Sequence, residues 1–158
     1  MNAIEILKTQ HRELEELFDR MDGVKGQSRE ERRIFRQLAK AVEEHAHLEE
    51  RYLYSEGQEV DCAATLEGYE EHELVRIMIR KIKKTSTKDG AFGAKVKVMR
   101  EILQHHISEE EDEYFPLVEN SLGEDRMEQI GLELEGHLNR RQKREHKQEL
   151  VSEQTWAA

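Results

Sequence analysis

The sequence predicts an all-α protein, an up-down-up-down antiparallel four-helix bundle followed by a C-terminal accessory helix and tail. Three observations predict it. Pro116 is the single proline among 158 residues, with 38% charged and 6% aromatic residues. That composition suits long solvated helices and not a β-rich chain with its turns and β-branched runs. Four segments carry apolar and histidine residues at steps of three and four, which places each set on one helix face. The connections between them are short, so consecutive helices are expected to run antiparallel. A chain of this length suits a single bundle core. Residues 1–122 are expected to form the bundle, and residues 123–158 an accessory helix with a flexible polar tail.

The first stripe is Ile4, Leu7, His11, Leu14 and Phe18, and it breaks at Gly23 and Gly26. A second helix is expected over residues 28–55, opened by a capping box of Ser28 and Glu31. Its stripe is Phe35, Leu38, Val42, His45, Glu49 and Tyr52. The third has Asp61 as N-cap and a stripe of His72, Val75, Ile79 and Ile82, ending in the loop around Thr87, Lys88, Asp89 and Gly90. Val96, Met99, Leu103, His106, Glu110 and Tyr114 form the fourth. Beyond Pro116 and Gly123 a weaker stripe of Met127, Ile130, Leu134 and Leu138 predicts the accessory helix.

Composition also limits function. A net charge of −10 argues against general nucleic-acid binding, because neutralising phosphates requires a basic surface. Two basic runs qualify that. Arg76, Arg80, Lys81, Lys83, Lys84 and Lys88 read as a solvated helix end, where the helix dipole favours cations. Arg140, Arg141, Lys143, Arg144 and Lys147 lack the interleaved aromatics that stack nucleobases. No stretch approaches the roughly 18 apolar residues of a membrane span. Cys62 has no disulfide partner, and the first residues lack a signal-peptide pattern, so a cytoplasmic setting is expected.

The chemistry lies in a pattern shared by the second and fourth helices, His45-x-x-x-Glu49 and His106-x-x-x-Glu110. A histidine and a glutamate four residues apart sit one turn apart on one face, where both can ligate a metal held between helices. His11 and His72 occupy the inward positions on the other two helices. One histidine on an apolar face is ordinarily a satisfied core residue. Four imidazoles and two carboxylates converging in one core would cost several kcal/mol unpaired. Mixed imidazole and carboxylate ligands suit iron, manganese or zinc. The expected metal ligands are therefore His11, His45, Glu49, His72, His106 and Glu110. A ferritin-type scheme needs two Glu-x-x-His motifs, and Glu44 to His47 is the only one, on the outer face.

This set, with Glu109-Glu110-Glu111 leading to Phe115-Pro116, resembles the haemerythrin-like (HHE cation-binding) family over residues 1 to about 120. The resemblance implies two non-haem iron ions inside a four-helix bundle, bridged by Glu49 and Glu110, with the histidines completing each coordination sphere. Oxygen-carrying haemerythrins have a second histidine one turn after the third-helix histidine and an aspartate five residues after the fourth-helix one. Here those positions hold Arg76 and Glu111. Two octahedral irons offer about twelve positions. Four histidines, two bridging glutamates and an oxo or hydroxo bridge leave about two open, one more than in the carriers. Tyr52, Tyr69, His105 and, less readily, Tyr54 could fill the gap. The tyrosines also read as ordinary core aromatics, and Tyr54 falls opposite His45 in a regular helix.

Open positions on both metals suit a peroxide clamped between them. The expected small ligand is therefore dioxygen or hydrogen peroxide, with catalase-like or oxidase-type turnover. The alternative is an oxygen, iron or redox sensing module, or reversible dioxygen binding, without turnover. His47, His137 and His146 are expected to be solvated, and Glu50, Glu109 and Glu111 to be supporting or exposed acids.

Overall fold

The computed structural model describes the backbone of residues 1–156 and the side chains of residues 1–148. Among the described residues the fold is a bundle of helices without a strand. The α-helices are α1 (Ala3–Gly23), α2 (Ser28–Leu48), α3 (Tyr54–Gly57), α4 (Cys62–Lys83), α5 (Gly90–Glu109), α6 (Phe115–Leu122) and α7 (Glu124–Trp156). No helix of the described residues is long and apolar enough to cross a membrane.

Capping fixes the helix starts. The Asn2 side chain accepts from the Ile4 N–H, while the Glu5 side chain accepts from the Asn2 N–H, a full capping box. Asp61 caps α4 as expected, accepting from the Ala64 N–H at 3.0 Å. The expected box of Ser28 and Glu31 does not form. Gln27 is the N-cap of α2 and makes no side-chain capping bond, because Ser28 is already helical.

The second helix is not regular to residue 55. Glu49–Leu53 forms a π-helical turn in which the Tyr54 N–H donates to the Glu49 carbonyl, five residues back. Glu110–Tyr114 forms a second one, closed by the Phe115 N–H on the Glu110 carbonyl. A π turn inserts one residue and rotates everything beyond it. Tyr52 is consequently only half-buried, while Leu53 and Tyr54 take the inward positions. The expectation that Tyr54 faces away from His45 is corrected by this turn.

Two apolar clusters lie on either side of the histidines along the chain. One gathers Leu14, Phe18, Phe35, Leu38, Ile79, Ile82, Phe92 and Met99. The other gathers Ile6, Leu7, Leu48, Leu53, Phe115, Val118, Met127, Ile130 and Leu134. Each fully buried side chain of this size contributes roughly 1.5–3 kcal/mol. α7 joins the second cluster and lies against α1 so closely that a Cβ at Gly131 would collide with the Met1 carbonyl oxygen. Farther along, Arg141 pairs with Glu44 at 2.6 Å and Glu145 with Lys40 at 2.8 Å, tying α7 to α2.

Candidate metal centre

Each of α1, α2, α4 and α5 sends one imidazole into the space between the two apolar clusters, and each π turn begins with a glutamate facing it. His11, His45, His72 and His106 are 1–2% exposed, Glu49 0% and Glu110 4%. The six expected ligand residues therefore come together in one buried cluster.

The Nδ1 atom of every histidine has a fixed partner. His11 Nδ1 lies 2.8 Å from Glu111, His72 Nδ1 2.9 Å from Glu50, His106 Nδ1 2.6 Å from Glu71, and His45 Nδ1 3.1 Å from the Gln10 side-chain oxygen. With Nδ1–H donating to these acceptors, each Nε2 turns its lone pair inward. His11 and His45 bring their Nε2 atoms to 3.1 Å, and so do His72 and His106. Aromatic rings support two imidazoles from behind. Phe115 stacks on His11 at 5.7 Å and Tyr54 on His72 at 5.4 Å.

Glu49 joins the two pairs. Its Oε1 lies 3.2 Å from His45 Nε2 and its Oε2 3.2 Å from His72 Nε2. Glu110 differs: Oε2 lies 3.4 Å from both His11 and His106, while Oε1 accepts the Tyr54 hydroxyl at 2.7 Å. Potential ligand atoms thus form two groups sharing Glu49, one of His11, His45, Glu49 and Glu110, the other of Glu49, His72 and His106.

The arrangement repeats along the chain. Gln10 and Glu71, His11 and His72, His45 and His106, Glu49 and Glu110, Glu50 and Glu111, and Tyr54 and Phe115 are each 61 positions apart. Each half has an Nδ1 partner preceding its first histidine and a stacking ring five residues after its glutamate. The halves differ in Gln10 against Glu71 and in Phe115 lacking a hydroxyl.

The donor set fits cations. Glu49 Oε1, Glu49 Oε2 and Glu110 Oε2 are buried without a hydrogen-bond partner, and unpaired buried carboxylate is costly. Two nitrogens sharing one first-row ion at a right angle, about 2.1 Å away, lie about 3.0 Å apart, close to the separation within each pair. Without cations, protons must offset the carboxylates. Burial opposes protonation of His11, but the facing Glu110 and Glu49 carboxylates, at 3.4 and 3.7 Å, prevail and raise its pKa to about 10. His72 and His106 are also raised against the effect of burial, by Glu49 with Glu50 and by Glu110 with Glu49. Burial holds His45 down to about 3 despite Glu49, and the neighbouring His11, His72 and His106 add to the lowering. Burial and the nearby Glu49 charge raise Glu110, while the histidines hold Glu49 low despite its burial.

The four residues considered for a further ligand position divide. Only Tyr54 reaches the cluster, through Glu110. The Tyr52 hydroxyl pairs with His137 Nδ1 at 3.2 Å, the Tyr69 hydroxyl with the Glu50 carbonyl at 3.3 Å, and His105 is exposed. His47 and His146 are exposed as expected, whereas His137 is half-buried against Tyr52. Glu50 and Glu111 support histidines; Glu109 is exposed. Arg76, at the departure from the carriers, pairs with Glu50 at 2.9 Å and so holds the acceptor of His72. Sequence reasoning missed Gln10 and Glu71. The signal was available, since both directly precede a ligand-stripe histidine at the same offset.

The family model described as Hemerythrin HHE cation binding domain matches residues 2–118. Among curated proteins the chain is similar to a DNA nickase from Nostoc sp. (strain PCC 7120), 26% identical over 148 residues, covering 91% of this chain and 41% of the relative. The chain thus spans about two fifths of that relative's length. No solved structure matches the chain significantly.

Proposed function

The chain belongs to the haemerythrin HHE cation-binding family, and from that premise we propose that it holds two non-haem iron ions and reacts with hydrogen peroxide or dioxygen. The ligands are His11, His45, Glu49, His72, His106 and Glu110, in an up-down-up-down arrangement of α1, α2, α4 and α5. Residues 1–122 are the iron-binding unit, and the appended segment from residue 123 carries α7. The single exposed cysteine, Cys62, suits a reducing cytoplasm.

One observation carries the reading. Glu49 is fully buried, has no hydrogen-bond partner on either oxygen, and turns one oxygen toward each pair of imidazoles. A carboxylate so placed calls for one cation on each side.

Held by these six residues, two irons would supply one-electron redox chemistry toward peroxide or dioxygen. The chain orients the site through the Nδ1 partners, which fix every ring. The Phe115 ring and the apolar cluster of Ile6, Leu7 and Leu48 shield the His11 and His45 half from water. The Tyr54 hydroxyl holds a proton at Glu110 Oε1, which withdraws that oxygen from the centre. With one Glu110 oxygen taken by Tyr54, the residues present would leave open positions on bound metal, which would favour turnover of peroxide over simple carriage.

Nicking is not carried over from the Nostoc relative: this chain covers 41% of it, and a net charge of −10 opposes binding a phosphate backbone.

Elemental analysis tests the reading directly. About two irons per chain, with peroxide consumption that Glu49→Ala abolishes, are the expected results. One metal or none per chain in iron-reconstituted protein would overturn it.

A further inference from the structure

The two halves of the centre meet the solvent differently. Beside the His72 and His106 half, a cleft of about 170 Å³ runs inward from the surface between α4 and the segment from α5 to α6, with His106, Glu110 and Tyr54 among its walls. Asp61, Glu67, Glu71, Glu109 and Glu113 also line it, and no lysine or arginine does. At its inner end Glu110, 4% exposed, has the unpartnered oxygen Oε2.

The 61-residue correspondence shows what stands in the same places on the other half. Glu67, Glu71, Glu109 and Glu113 correspond to Ile6, Gln10, Leu48 and Tyr52. Ile6 and Leu48 are buried in the cluster that contains Met127, Ile130 and Leu134 of α7, and Tyr52 packs against it. The Tyr52 hydroxyl also reaches His137 of α7. α7 therefore covers one half with apolar side chains, while the other half is left open and acidic.

We propose that this cleft is the port through which divalent cations reach the buried centre, and that α7 seals its counterpart on the other half. The proposal rests on the metal-centre reading above. A cleft lined by charge of one sign focuses the field and raises the local concentration of counter-ions, commonly by tenfold or more. The outer stop is Glu71, His105 and Glu109, whose ligand atoms lie within 4.8 Å of one another. His105 Nε2 stands 3.3 Å from Glu109. Glu71 then links outside to inside, since its other oxygen holds His106 Nδ1 at 2.6 Å. A cation arriving there is one residue away from a ligand imidazole.

The test is the rate at which metal-free full-length protein takes up ferrous iron under anaerobic conditions, quenched into chelator and counted as retained metal. Three proteins are compared at low ionic strength: the natural chain, Glu67→Gln/Glu109→Gln/Glu113→Gln, and a control, Glu13→Gln/Glu16→Gln, neutralised on the exposed face of α1. None of the three cleft substitutions touches a ligand imidazole. The cleft variant is expected to load about tenfold or more slowly while reaching the same two ions, and the control to match the natural chain. Salt should slow the natural chain and barely affect the cleft variant. Equal loading rates in all three would overturn the port and leave the metal centre standing. Failure of the natural chain to retain buried iron would overturn both.

Discussion

The hydroxyl of Tyr54 donates a 2.7 Å hydrogen bond to Oε1 of Glu110 from a position 1% exposed to solvent. Tyr54→Phe leaves that oxygen buried and unpartnered. The metal-free protein should lose about 1–3 kcal/mol of stability, read from urea unfolding. Gly68→Ala reaches the same contact from behind, because its Cβ would stand 2.5 Å from the Tyr54 hydroxyl oxygen. The alanine variant should be destabilised in the same direction, and neutral behaviour in both would show that the bond contributes nothing.

The unequal glutamates predict unequal losses of metal. Glu49 belongs to both groups of ligand atoms and Glu110 to one. Glu49→Ala should retain almost no iron, whereas Glu110→Ala should retain about one ion, held by His72, His106 and Glu49. Glu50→Ala, which removes the acceptor of His72 Nδ1, should keep both ions but bind them about 10–100-fold more weakly. Competition against a chelator measures all three.

Metal binding should release protons and strengthen with pH. In the metal-free protein His11, with a pKa raised to about 10, is protonated at neutrality, and His72 and His106 are shifted the same way. A cation must displace those protons, so affinity should rise with pH toward about 10. His45, held near 3, is already neutral and contributes none. For stability of the metal-free fold the sign is the reverse. A pKa raised above the unfolded value gives His11 a stabilising contribution that is complete below about 6.5 and lost as pH rises through about 10. Titration calorimetry in two buffers of different ionisation enthalpy counts the protons, and equal apparent heats would contradict the assignment.

α7 should matter to stability more than to the ligands. Ile130 is 1% exposed and packs in the cluster with Ile6 and Leu48. Ile130→Ala should cost about 2–5 kcal/mol. Iron content should remain near two per chain, because none of the six proposed ligands lies on α7. Unfolding curves and elemental analysis on the same sample separate the two effects.

Much of the site was legible because its six buried polar residues obey helix periodicity. His11, His45, His72, His106, Glu49 and Glu110 fall on inward stripes, and a histidine four residues before a glutamate is a spacing that a regular helix turns into proximity. The stripes of α1 and α4 are buried residue for residue. The capping box at Ser28 was not decided locally, since the turn before α2 places Gln27 at the cap. Tyr52 and Tyr54 exchanged environments for a similar reason. A π turn opening on Glu49 has no distinctive sequence signal, and one inserted residue is enough to move an aromatic from the surface to the core.

The sequence by itself determined the all-helical class and the six polar residues that share the core, four of them in two His-x-x-x-Glu segments, because periodicity and composition are properties of the chain. Only the tertiary structure decided that Glu49 spans both pairs while Glu110 gives one oxygen to Tyr54. It also decided that Gln10, Glu50, Glu71 and Glu111 orient the imidazoles, and that α7 covers one half and leaves the other open. Those facts depend on distances of a few ångströms between residues far apart in sequence. Helical spacing shows which face a side chain takes, and packing decides what it meets there.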